Sequence, residues 1–398
     1  MSKMTVWDIE VSGKRALVRV DFNVPMDEAT GAITDETRIR ASLPTIKYLI
    51  DQGAKIILCS HLGRPEGKMV NKLRLAPIGK HLSQILDKTV TVLGESTGAA
   101  VEKAVERLER GDILLLENVR FYPEEEINDP SFAEELSRLA DVYVNDAFGA
   151  AHRAHASTVG VARHLPAVAG LLLERELQAL GGILANPAHP FAILIGGAKV
   201  SDKIGMIKNV LDKVDTILIG GGMAATFLKA RSHKIGTSLV ENDKLDLTAR
   251  LMQDMKKRGI RFLLPEDVIV AESLGAEAEV RTVPVSGIPD EWQIVDIGPE
   301  TIRSFSEQLQ GCQTVFWNGP LGIYEIPQFA EGTQSIARLL AGLDATTIIG
   351  GGSTAEMVTH LKLADRMTFI STGGGASLHF LSGKTLPGVA VLWDKEES

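Results

Sequence analysis

Short hydrophobic runs alternate with segments of helical periodicity along the whole chain. In the first half the runs cover residues 15–20, 55–59, 112–116 and 141–144. Between them lie segments such as 39–52, where Leu43, Ile46 and Leu49 recur at helical spacing. Strands that alternate with helices favour an α/β fold with parallel sheets.

Each apolar run in the first half ends in polar residues. The first run is followed by Asp21 and Asn23, which taken alone could simply cap a loop. Ligands bind at the carboxyl ends of the strands in an open parallel sheet, so we expect the segments after the runs to meet at one pocket. Its candidate basic residues are Arg38, Arg64, Arg120, Arg153 and His61. Such a pocket suits a small anion with several charges, and the alternative is a set of scattered surface arginines.

In the second half an apolar run is followed four times by glycines and then by a helical pattern. The runs are residues 191–195, 216–219, 346–349 and 368–370, and the glycines after them are Gly196-Gly197, Gly220-Gly221-Gly222, Gly350-Gly351-Gly352 and Gly373-Gly374-Gly375. Glycine lets a backbone approach a ligand closely, and helix N-termini offer free N–H groups to phosphates. One such turn is ordinary strand-to-helix geometry, but four of them predict a nucleotide site.

Lys199 and Lys203 follow the first of these glycine pairs. If a helix begins there, their spacing of four places both ammonium groups on one face beside its N-terminus. The alternative is a pair of solvated lysines. Their position directly after a buried strand and two glycines favours phosphate binding.

Two nucleotide motifs were compared with the chain. Gly383-Lys384-Thr385 matches the end of a Walker A loop, but Leu378 stands where that loop needs its first glycine. The dinucleotide pattern is met at residues 220–225 and 350–355, yet neither match is followed by an acidic residue that closes a second strand about 20 residues later. A dehydrogenase is therefore a distant second hypothesis.

A connector is expected between the two halves. The helical run 171–180 meets Gly181-Gly182, and two prolines follow at Pro187 and Pro190. The helix is too apolar for a solvated linker, so we expect it to pack between two domains. The glycine pair is either a hinge or the C-terminal cap of the helix.

Composition excludes several classes of protein. At 398 residues the chain is too long for one core and should form two domains. A net charge of −9 argues against nucleic-acid binding, and two cysteines cannot form a disulfide framework. The N-terminal residues lack the apolar stretch of a signal peptide, and no run is long enough for a membrane helix. We therefore expect a soluble, cytoplasmic protein.

Seven segments together match a known family pattern. They are RVDFNVP at 19–25, SHLGRP at 60–65, ENVRF at 117–121, FGAAHRAH at 148–155, GGAKVSDK at 196–203, WNGP at 317–320 and STGGGAS at 371–377. With these segments the chain resembles the phosphoglycerate kinase family over its whole length. The resemblance implies reversible phosphoryl transfer between 1,3-bisphosphoglycerate and MgADP, which gives 3-phosphoglycerate and MgATP in glycolysis.

The resemblance also implies a domain organisation. The expected fold has two doubly wound parallel-sheet α/β domains joined by a helical hinge, with a C-terminal tail that packs back on the first domain. The expected ranges are 1–170 for the glycerate-substrate domain, 171–190 for the helix and hinge, 191–382 for the nucleotide-binding domain and 383–398 for the tail. A site divided between domains implies that the domains close around the substrates.

Residue roles are carried over position by position. The resemblance implies substrate-binding residues at Asp21, Asn23, Arg38, His61, Arg64, Arg120 and Arg153. It implies nucleotide-binding residues at Gly197, Ala198, Lys199, Lys203, Gly220, Gly221, Asn318, Glu325, Gly350, Gly351, Gly352, Ser353 and Thr354. Gly373 and Gly374 would stabilise the transferring phosphate. The expected catalytic residues are Arg38, Lys199 and Lys203, which would align the substrates and stabilise charge.

The chain departs from the family pattern at Ser353. The family usually has aspartate there, which serves the Mg²⁺ of the nucleotide. Mg²⁺ relies mostly on phosphates and water, so the cofactor expectation stands, with Glu356 as a tentative replacement ligand. The alternative is that Ser353 and Glu356 form a helix capping box without a metal role.

The expected partners are 3-phosphoglycerate or 1,3-bisphosphoglycerate and ATP or ADP. The resemblance implies a monomer, and we expect neither nucleic acid nor membrane as a partner. Besides the dehydrogenase, a non-catalytic anion-binding protein on the same fold is the other alternative.

Overall fold

The computed structural model describes residues 2–395 of the chain. These residues divide into two units. The first unit contains the residues up to Gln178 together with those from Thr385 onward, and the second unit is Ala179–Lys384. The predicted tail 383–398 includes residues 396–398, which lie outside the described residues.

The first unit is built on a six-stranded parallel sheet in the order β3-β4-β2-β1-β5-β6. Its strands are β1 Arg15–Arg19, β2 Lys55–Cys59, β3 Val90–Val92, β4 Ile113–Leu115, β5 Val142–Asn145 and β6 Ala167–Ala169. Its helices are α1 Thr37–Asp51, α2 Ala76–Leu86, α3 Ala99–Glu106, α4 Pro123–Glu126 and α5 Pro130–Arg138. The central strands are nearly continuous hydrophobic runs because helices cover parallel sheets on both faces.

The next helix, α6 Leu171–Ala185, contains the boundary between the two units. Of the two alternatives for Gly181-Gly182, the C-terminal cap is wrong, because α6 continues through both glycines. It ends just before Asn186-Pro187, since a residue that precedes proline is disfavoured in helical conformation.

The second unit contains a six-stranded parallel sheet in the order β15-β14-β13-β7-β8-β9 and a three-stranded antiparallel sheet in the order β11-β10-β12. Its strands are β7 Phe191–Ile195, β8 Thr216–Ile219, β9 Arg261–Leu263, β10 Asp267–Ala271, β11 Val280–Pro284, β12 Gln293–Ile297, β13 Thr314–Asn318, β14 Thr346–Gly350 and β15 Phe369–Ile370. Its helices are α7 Ile204–Val210, α8 Met223–Ala230, α9 Leu245–Lys257, α10 Pro299–Leu309, α11 Glu331–Leu340, α12 Gly352–His360 and α13 Gly375–Leu381.

The strand order of each parallel sheet reverses once. In the second unit the chain moves from β7 outward to β9 and then returns to β13 on the other side of β7. In the first unit the equivalent change of direction lies between β1 and β5. The carboxyl ends of the strands beside such a reversal are where open α/β sheets bind ligands. The predicted fold class of two parallel-sheet α/β domains is confirmed.

The C-terminal residues belong to the first unit, where the last helix is α14 Pro387–Ala390. Gly388 donates its backbone N–H to the Ala151 carbonyl at 2.9 Å, and its own carbonyl accepts from the Asn145 side chain at 2.8 Å. The Lys3 ammonium lies 2.8 Å from the Asp394 carboxylate. These contacts attach the chain end to β5 and to the N-terminal segment.

The described helices include none that is long and apolar enough to cross a membrane.

Candidate active site

Arg38 and Asp21 meet at the carboxyl end of β1. Arg38 lies in the first turn of α1, and its Nη1 is 3.5 Å from Asp21 Oδ2. The same nitrogen donates to the Asn23 carbonyl oxygen at 2.8 Å. The guanidinium is therefore held beside the polar residues that follow β1, with donors left for a ligand.

The segment after β2 joins this group through Gly63. Its backbone N–H donates to Asn23 Oδ1 at 2.8 Å, and its carbonyl oxygen accepts from Arg120 Nη1 at 2.8 Å. Arg120 also lies 3.3 Å from the Glu126 carboxylate. Desolvation, reinforced by Arg19 and Arg153, lowers the pKa of Arg120 to about 10.

Two histidines complete the group. Burial lowers the pKa of His61 well below its usual value, and the nearby cations Arg19, Arg120 and Arg38 lower it further. Burial and the same basic surroundings lower the pKa of His155 to about 3. Both rings are therefore neutral near pH 7, and they can donate a hydrogen bond without adding positive charge.

We refer to Asp21, Asn23, Arg38, His61, Arg64, Arg120 and Arg153 as the basic cluster. Arg153 belongs to it because its charge lowers the pKa of both Arg120 and His155. Arg64, the remaining predicted residue, is exposed and directly follows Gly63.

Three buried residues beneath the basic cluster were missed from the sequence. Arg19, Ser157 and Glu125 are each at most 2% exposed. Arg19 Nε donates to Ser157 Oγ at 2.8 Å, and Ser157 Oγ donates to Glu125 Oε1 at 2.6 Å. The available signal was Arg19 at the buried end of β1, directly after three apolar residues, because a buried guanidinium needs partners.

The glycine turns of the second unit are packed backbone against backbone between β7 and β13. Gly196 donates to the Asn318 carbonyl at 3.0 Å, and Gly197 donates to the Pro320 carbonyl at 2.8 Å. Gly319 has φ +98°, and a Cβ there would lie 2.4 Å from the Gly196 backbone. Only glycine fits this close approach at a positive φ.

The turn after β8 lies against the same loops. Gly221 donates to the Leu321 carbonyl at 3.0 Å, and a Cβ there would lie 2.7 Å from the Gly197 nitrogen. A Cβ on Gly220 would contact the Leu321 side chain at 2.7 Å. Two predicted glycine segments, 196–197 and 220–222, therefore meet the loop after β13 at the reversal of strand order, with exposed Ala198 beside them.

Lys203 reaches into this region, whereas Lys199 is exposed. The Lys203 ammonium donates to Asn318 Oδ1, and desolvation lowers its pKa to about 8. The expected helix across both lysines is wrong, because α7 begins only at Ile204. The turn is held instead by Glu241, whose Oε2 accepts from the Val200 N–H at 2.6 Å and the Ser201 N–H at 3.1 Å.

The N-terminus of α12 lies beside β13. Thr354 Oγ1 accepts from the Gly319 N–H at 2.8 Å, which ties the first turn of α12 to the loop after β13. Asn318 is fully buried, and a Cβ added to Gly351 would lie 3.4 Å from its Nδ2. That Nδ2 has no hydrogen-bond partner among residues 2–395, and a buried donor of this kind is normally satisfied by a ligand or water.

The last glycine segment precedes α13. Gly373 donates its N–H to Ser371 Oγ at 3.2 Å, and Gly374 has φ +51°. This segment follows β15, at the carboxyl edge of the same parallel sheet.

The alternative of a capping box at Ser353 is wrong. Gly351 occupies the N-cap of α12 with φ +90°, so Ser353 is already the second helical residue, and the cap has no side-chain hydrogen bond. Glu356 Oε2 instead accepts from the Tyr324 hydroxyl at 3.2 Å. Burial, together with the Glu356 and Glu325 charges, raises the pKa of Tyr324 to about 12. Glu325 is exposed.

The candidate metal ligands at the N-terminus of α12 are hard oxygen atoms, which suit Mg²⁺. They are the Ser353 and Thr354 hydroxyls and the Glu356 carboxylate. Among residues 2–395 no three histidine, cysteine or acidic side chains are grouped as a metal site. The residues therefore fit an ion that is held mainly by nucleotide phosphates and water.

Comparisons with known proteins agree with this arrangement. The sequence model of the family described as phosphoglycerate kinase matches residues 6–384. A relative from Pelotomaculum thermopropionicum named phosphoglycerate kinase is 56% identical over 99% of this chain and 100% of its own length. Another with that name, from Roseiflexus castenholzii, is also 56% identical over 99% of this chain and 100% of its own length.

Solved structures give the same result. The structure of phosphoglycerate kinase from Coxiella burnetii superposes with a TM-score of 0.86 at 39% identity and covers 98% of both chains. The phosphoglycerate kinase from Pyrococcus horikoshii superposes with a TM-score of 0.82 at 30% identity, again over 98% of both chains.

These matches confirm the predicted family and the predicted phosphotransferase activity. They give no support to a dehydrogenase or to a non-catalytic binding protein. The chain belongs to the phosphoglycerate kinase family.

Proposed function

We propose that the basic cluster of the first unit binds 3-phosphoglycerate or 1,3-bisphosphoglycerate, and that the glycine turns of the second unit bind ADP or ATP. The observation that carries this proposal is the meeting of Asp21, Arg38, His61 and Arg120 at the carboxyl ends of β1, β2 and β4. Arg38 and Arg120, with Arg153 close to Arg120, supply the positive charge that a small, multiply charged anion requires, while Asp21 and neutral His61 supply hydrogen-bonding groups.

Each side chain of the basic cluster has a chemical role in this proposal. The guanidinium groups of Arg38, Arg64, Arg120 and Arg153 bind carboxylate and phosphate oxygens in bidentate fashion. Asn23 has its Oδ1 occupied by the Gly63 N–H, so its Nδ2 is the group that faces a ligand. Asp21 accepts from the substrate hydroxyl.

On the nucleotide side the donors are mostly backbone groups. The N–H groups at Gly197, Ala198 and the first turn of α12 are suited to phosphate oxygens, as are those at Gly373 and Gly374. Lys199 and Lys203 supply charge to the same phosphates. Glu325 accepts from the ribose hydroxyls, and the backbone around Gly220 and Gly221 allows the base to approach closely.

Phosphoryl transfer between these ligands needs alignment and charge stabilisation more than bond-making by the protein. The attacking carboxylate or ADP oxygen is already ionised, so no general base is required. Arg38, Lys199 and Lys203 are the proposed catalytic residues because their positive charges can stabilise the negative charge on the phosphoryl group as it is transferred. The lowered pKa of Lys203 reflects an ammonium that lacks full hydration, and it is therefore ready to pair with phosphate.

Mg²⁺ is the proposed cofactor, and it would neutralise charge on the nucleotide phosphates. The chain would contribute Glu356 and the Ser353 and Thr354 hydroxyls near these phosphates, directly or through water. Glu356 is held in place by the Tyr324 hydroxyl.

Two further properties belong to this proposal. The buried free thiols Cys59 and Cys312 are suited to a reducing compartment, which supports a cytoplasmic location. The family resemblance supports a monomer that binds neither nucleic acid nor membrane, and sedimentation of the purified protein would test its oligomeric state.

The direct test is a coupled assay with 3-phosphoglycerate, ATP and Mg²⁺. We expect turnover that depends on all three components. Absence of turnover together with binding of a nicotinamide cofactor would contradict the proposal.

A further inference from the structure

A buried chain of hydrogen bonds runs beneath the basic cluster. It begins at Glu125 in α4, which accepts from the Ser157 backbone N–H at 2.8 Å and from Ser157 Oγ at 2.6 Å. Ser157 Oγ in turn accepts from Arg19 Nε at 2.8 Å. The chain ends where Arg19 Nη2 lies 3.0 Å from His61 Nδ1. All four side chains are buried.

The direction of each bond in this chain follows from the chemistry of the groups. An arginine side chain has only donors, so both Ser157 Oγ and His61 Nδ1 must accept from Arg19. The single hydroxyl proton of Ser157 is then left for Glu125. Arg19 Nη1 donates to the Val20 carbonyl at 2.5 Å, so this bond and the Ser157 bond at Nε together orient the guanidinium toward the ring.

The direction of the hydrogen bond from Arg19 to His61 determines which ring nitrogen of His61 carries the proton. A neutral imidazole carries its proton on one nitrogen, and an Nδ1 that accepts leaves the proton on Nε2. A proton on Nδ1 would face the Arg19 donor, and the buried site would lose a hydrogen bond. The other charged or titratable groups around the ring are Asp21 at 4.0 Å from Nδ1, Arg38, Arg120 and His155.

We propose that Arg19, Ser157 and Glu125 are positioning residues that hold His61 as the neutral Nε2–H tautomer, so that His61 donates this N–H to an oxygen of the glycerate substrate. The proposal rests on the assignment of His61 to the glycerate site. Arg19 and Ser157 are 138 positions apart along the chain, and Ser157 and Glu125 are 32 positions apart. Only the fold brings these residues together.

A purely structural role for the chain makes a different prediction. In that case the hydrogen bonds through Ser157 only compensate the buried charges of Arg19 and Glu125. Their loss would lower the stability of the fold, and the His61 ring would be free to change tautomer whether or not they are present. The two roles therefore differ in the state of the His61 nitrogens and in the Michaelis constant for one substrate.

The test is nitrogen-15 spectroscopy of the full chain with labelled histidine rings, with the His61 signals assigned by their loss in His61→Gln. We expect Nδ1 of the wild type to show the shift of an unprotonated nitrogen and Nε2 that of a protonated one. In Ser157→Ala the two signals should move toward the average of exchanging tautomers. A ring that exchanges between its two tautomers is in the donating form about half of the time, so KM for 3-phosphoglycerate should rise about two- to threefold, with KM for ATP unchanged.

Ser137→Ala is the matched control, because it removes a largely buried serine hydroxyl that donates to the Glu134 carbonyl of α5. It should change neither the His61 signals nor KM. The double variant Arg19→Met with Glu125→Gln removes both charges together and should shift the tautomer further than Ser157→Ala. If the double variant does not fold, Ser157→Ala still decides the question.

Two results would overturn the proposal. The first is a wild-type His61 that carries its proton on Nδ1 or on both nitrogens. The second is a tautomer and KM that stay unchanged in Ser157→Ala. If the tautomer behaves as expected but His61→Gln binds 3-phosphoglycerate as the wild type does, the assignment of His61 to the substrate fails, and with it the functional part of the proposal.

Discussion

The two units present their candidate binding groups in different ways. In the first unit the chemistry is carried by side chains that hold one another, such as Arg38 on Asp21 and Arg120 on Gly63. In the second unit it is carried mainly by the backbone, through glycines at positive φ and the open start of α12. Lys203 on Asn318 is the main side-chain contribution there.

This difference indicates how each site can fail. A site of interlocked side chains loses function when one charge is removed, because its neighbours lose a partner as well. A site of backbone N–H groups is insensitive to most side-chain changes, but it is blocked by a single added methyl group. Removal of a charge and addition of a methyl group are therefore the two ways to probe the comparison.

The largest effect is expected for the loss of one catalytic charge in either unit. Arg38→Ala and Lys203→Ala should each lower kcat by about 10²–10³, since each removes a donor from the charge that develops on the transferring group. Steady-state kinetics measures this effect, and binding of either substrate alone should weaken much less. Arg40→Ala on α1, the helix of Arg38, and Lys208→Ala on α7, the helix that follows Lys203, are controls at exposed positions and should retain wild-type turnover. Wild-type kcat in Arg38→Ala or Lys203→Ala would refute the assignment.

A backbone test compares two glycines that share φ +98°. Gly319→Ala places a Cβ 2.4 Å from the Gly196 backbone, whereas Gly98 before α3 has no atom of the described residues within 4 Å of an added Cβ. Both substitutions carry the backbone strain, of about 1–3 kcal/mol. Gly319→Ala adds the clash, so it should cost about 3 kcal/mol more than Gly98→Ala in urea denaturation and should weaken ADP binding. Equal losses for the two variants would show that the close approach is unimportant.

Each unit also contains one buried carboxyl group whose titration affects stability. Burial raises the pKa of Asp146 in the first unit to about 7 and that of Asp296 in the second unit to about 7. The folded state therefore retains protons that the unfolded chain has released above about pH 4, and the stabilising contribution is lost as pH rises toward 7. Between pH 5 and 7 each group should lower the free energy of unfolding by about 2–3 kcal/mol.

Asp146→Asn and Asp296→Asn should each flatten this pH dependence, as measured by urea denaturation at a series of pH values. Asp35→Asn, at a partly exposed position, is the control and should leave the slope unchanged. A slope that is the same in all three variants would refute the raised pKa values.

The smallest effect is expected at the metal side of the second unit. Glu356→Gln should raise the Mg²⁺ concentration for half-maximal activity by a few-fold, roughly 1 kcal/mol, because a neutral amide is a weaker ligand. Ser353→Asp in that background should restore it. Tyr324→Phe removes the hydroxyl that holds Glu356 and should give a smaller shift in the same direction. Unchanged Mg²⁺ dependence in Glu356→Gln would exclude a metal role for this residue.

The candidate site residues that could be predicted from the sequence are those that follow the end of a strand. Asp21, His61 and Arg120 were found because each follows an apolar run, and the topology of a parallel sheet then brings such ends together. Arg19, Ser157 and Glu125 were missed because their hydrogen bonds join distant segments, which leave no local pattern.

The errors in secondary structure have a similar origin. A helix end at Gly181 and Gly182 was one of two alternatives, and it is excluded because tertiary packing overrides the weak helix propensity of two glycines. Ser353 matched a capping box, but α12 has its N-cap at Gly351, with positive φ, and so starts two residues earlier than that motif requires. The antiparallel strands β10–β12 lie between longer α/β elements, and the exposed residues of β11 gave no alternating pattern.

The central claim is that the basic cluster selects the glycerate ligand and the glycine turns select the nucleotide. Isothermal titration of 3-phosphoglycerate and of ADP into Arg64→Ala and Glu325→Ala tests it most directly, because both side chains are exposed and their removal should leave the fold intact. Arg64→Ala should weaken binding of 3-phosphoglycerate by about tenfold or more and leave ADP binding unchanged, since a charged hydrogen bond contributes about 1.5–3 kcal/mol. Glu325→Ala should weaken binding of ADP alone. The account is contradicted if either variant affects the other ligand instead of its own, or if both ligands bind both variants as they bind the wild type.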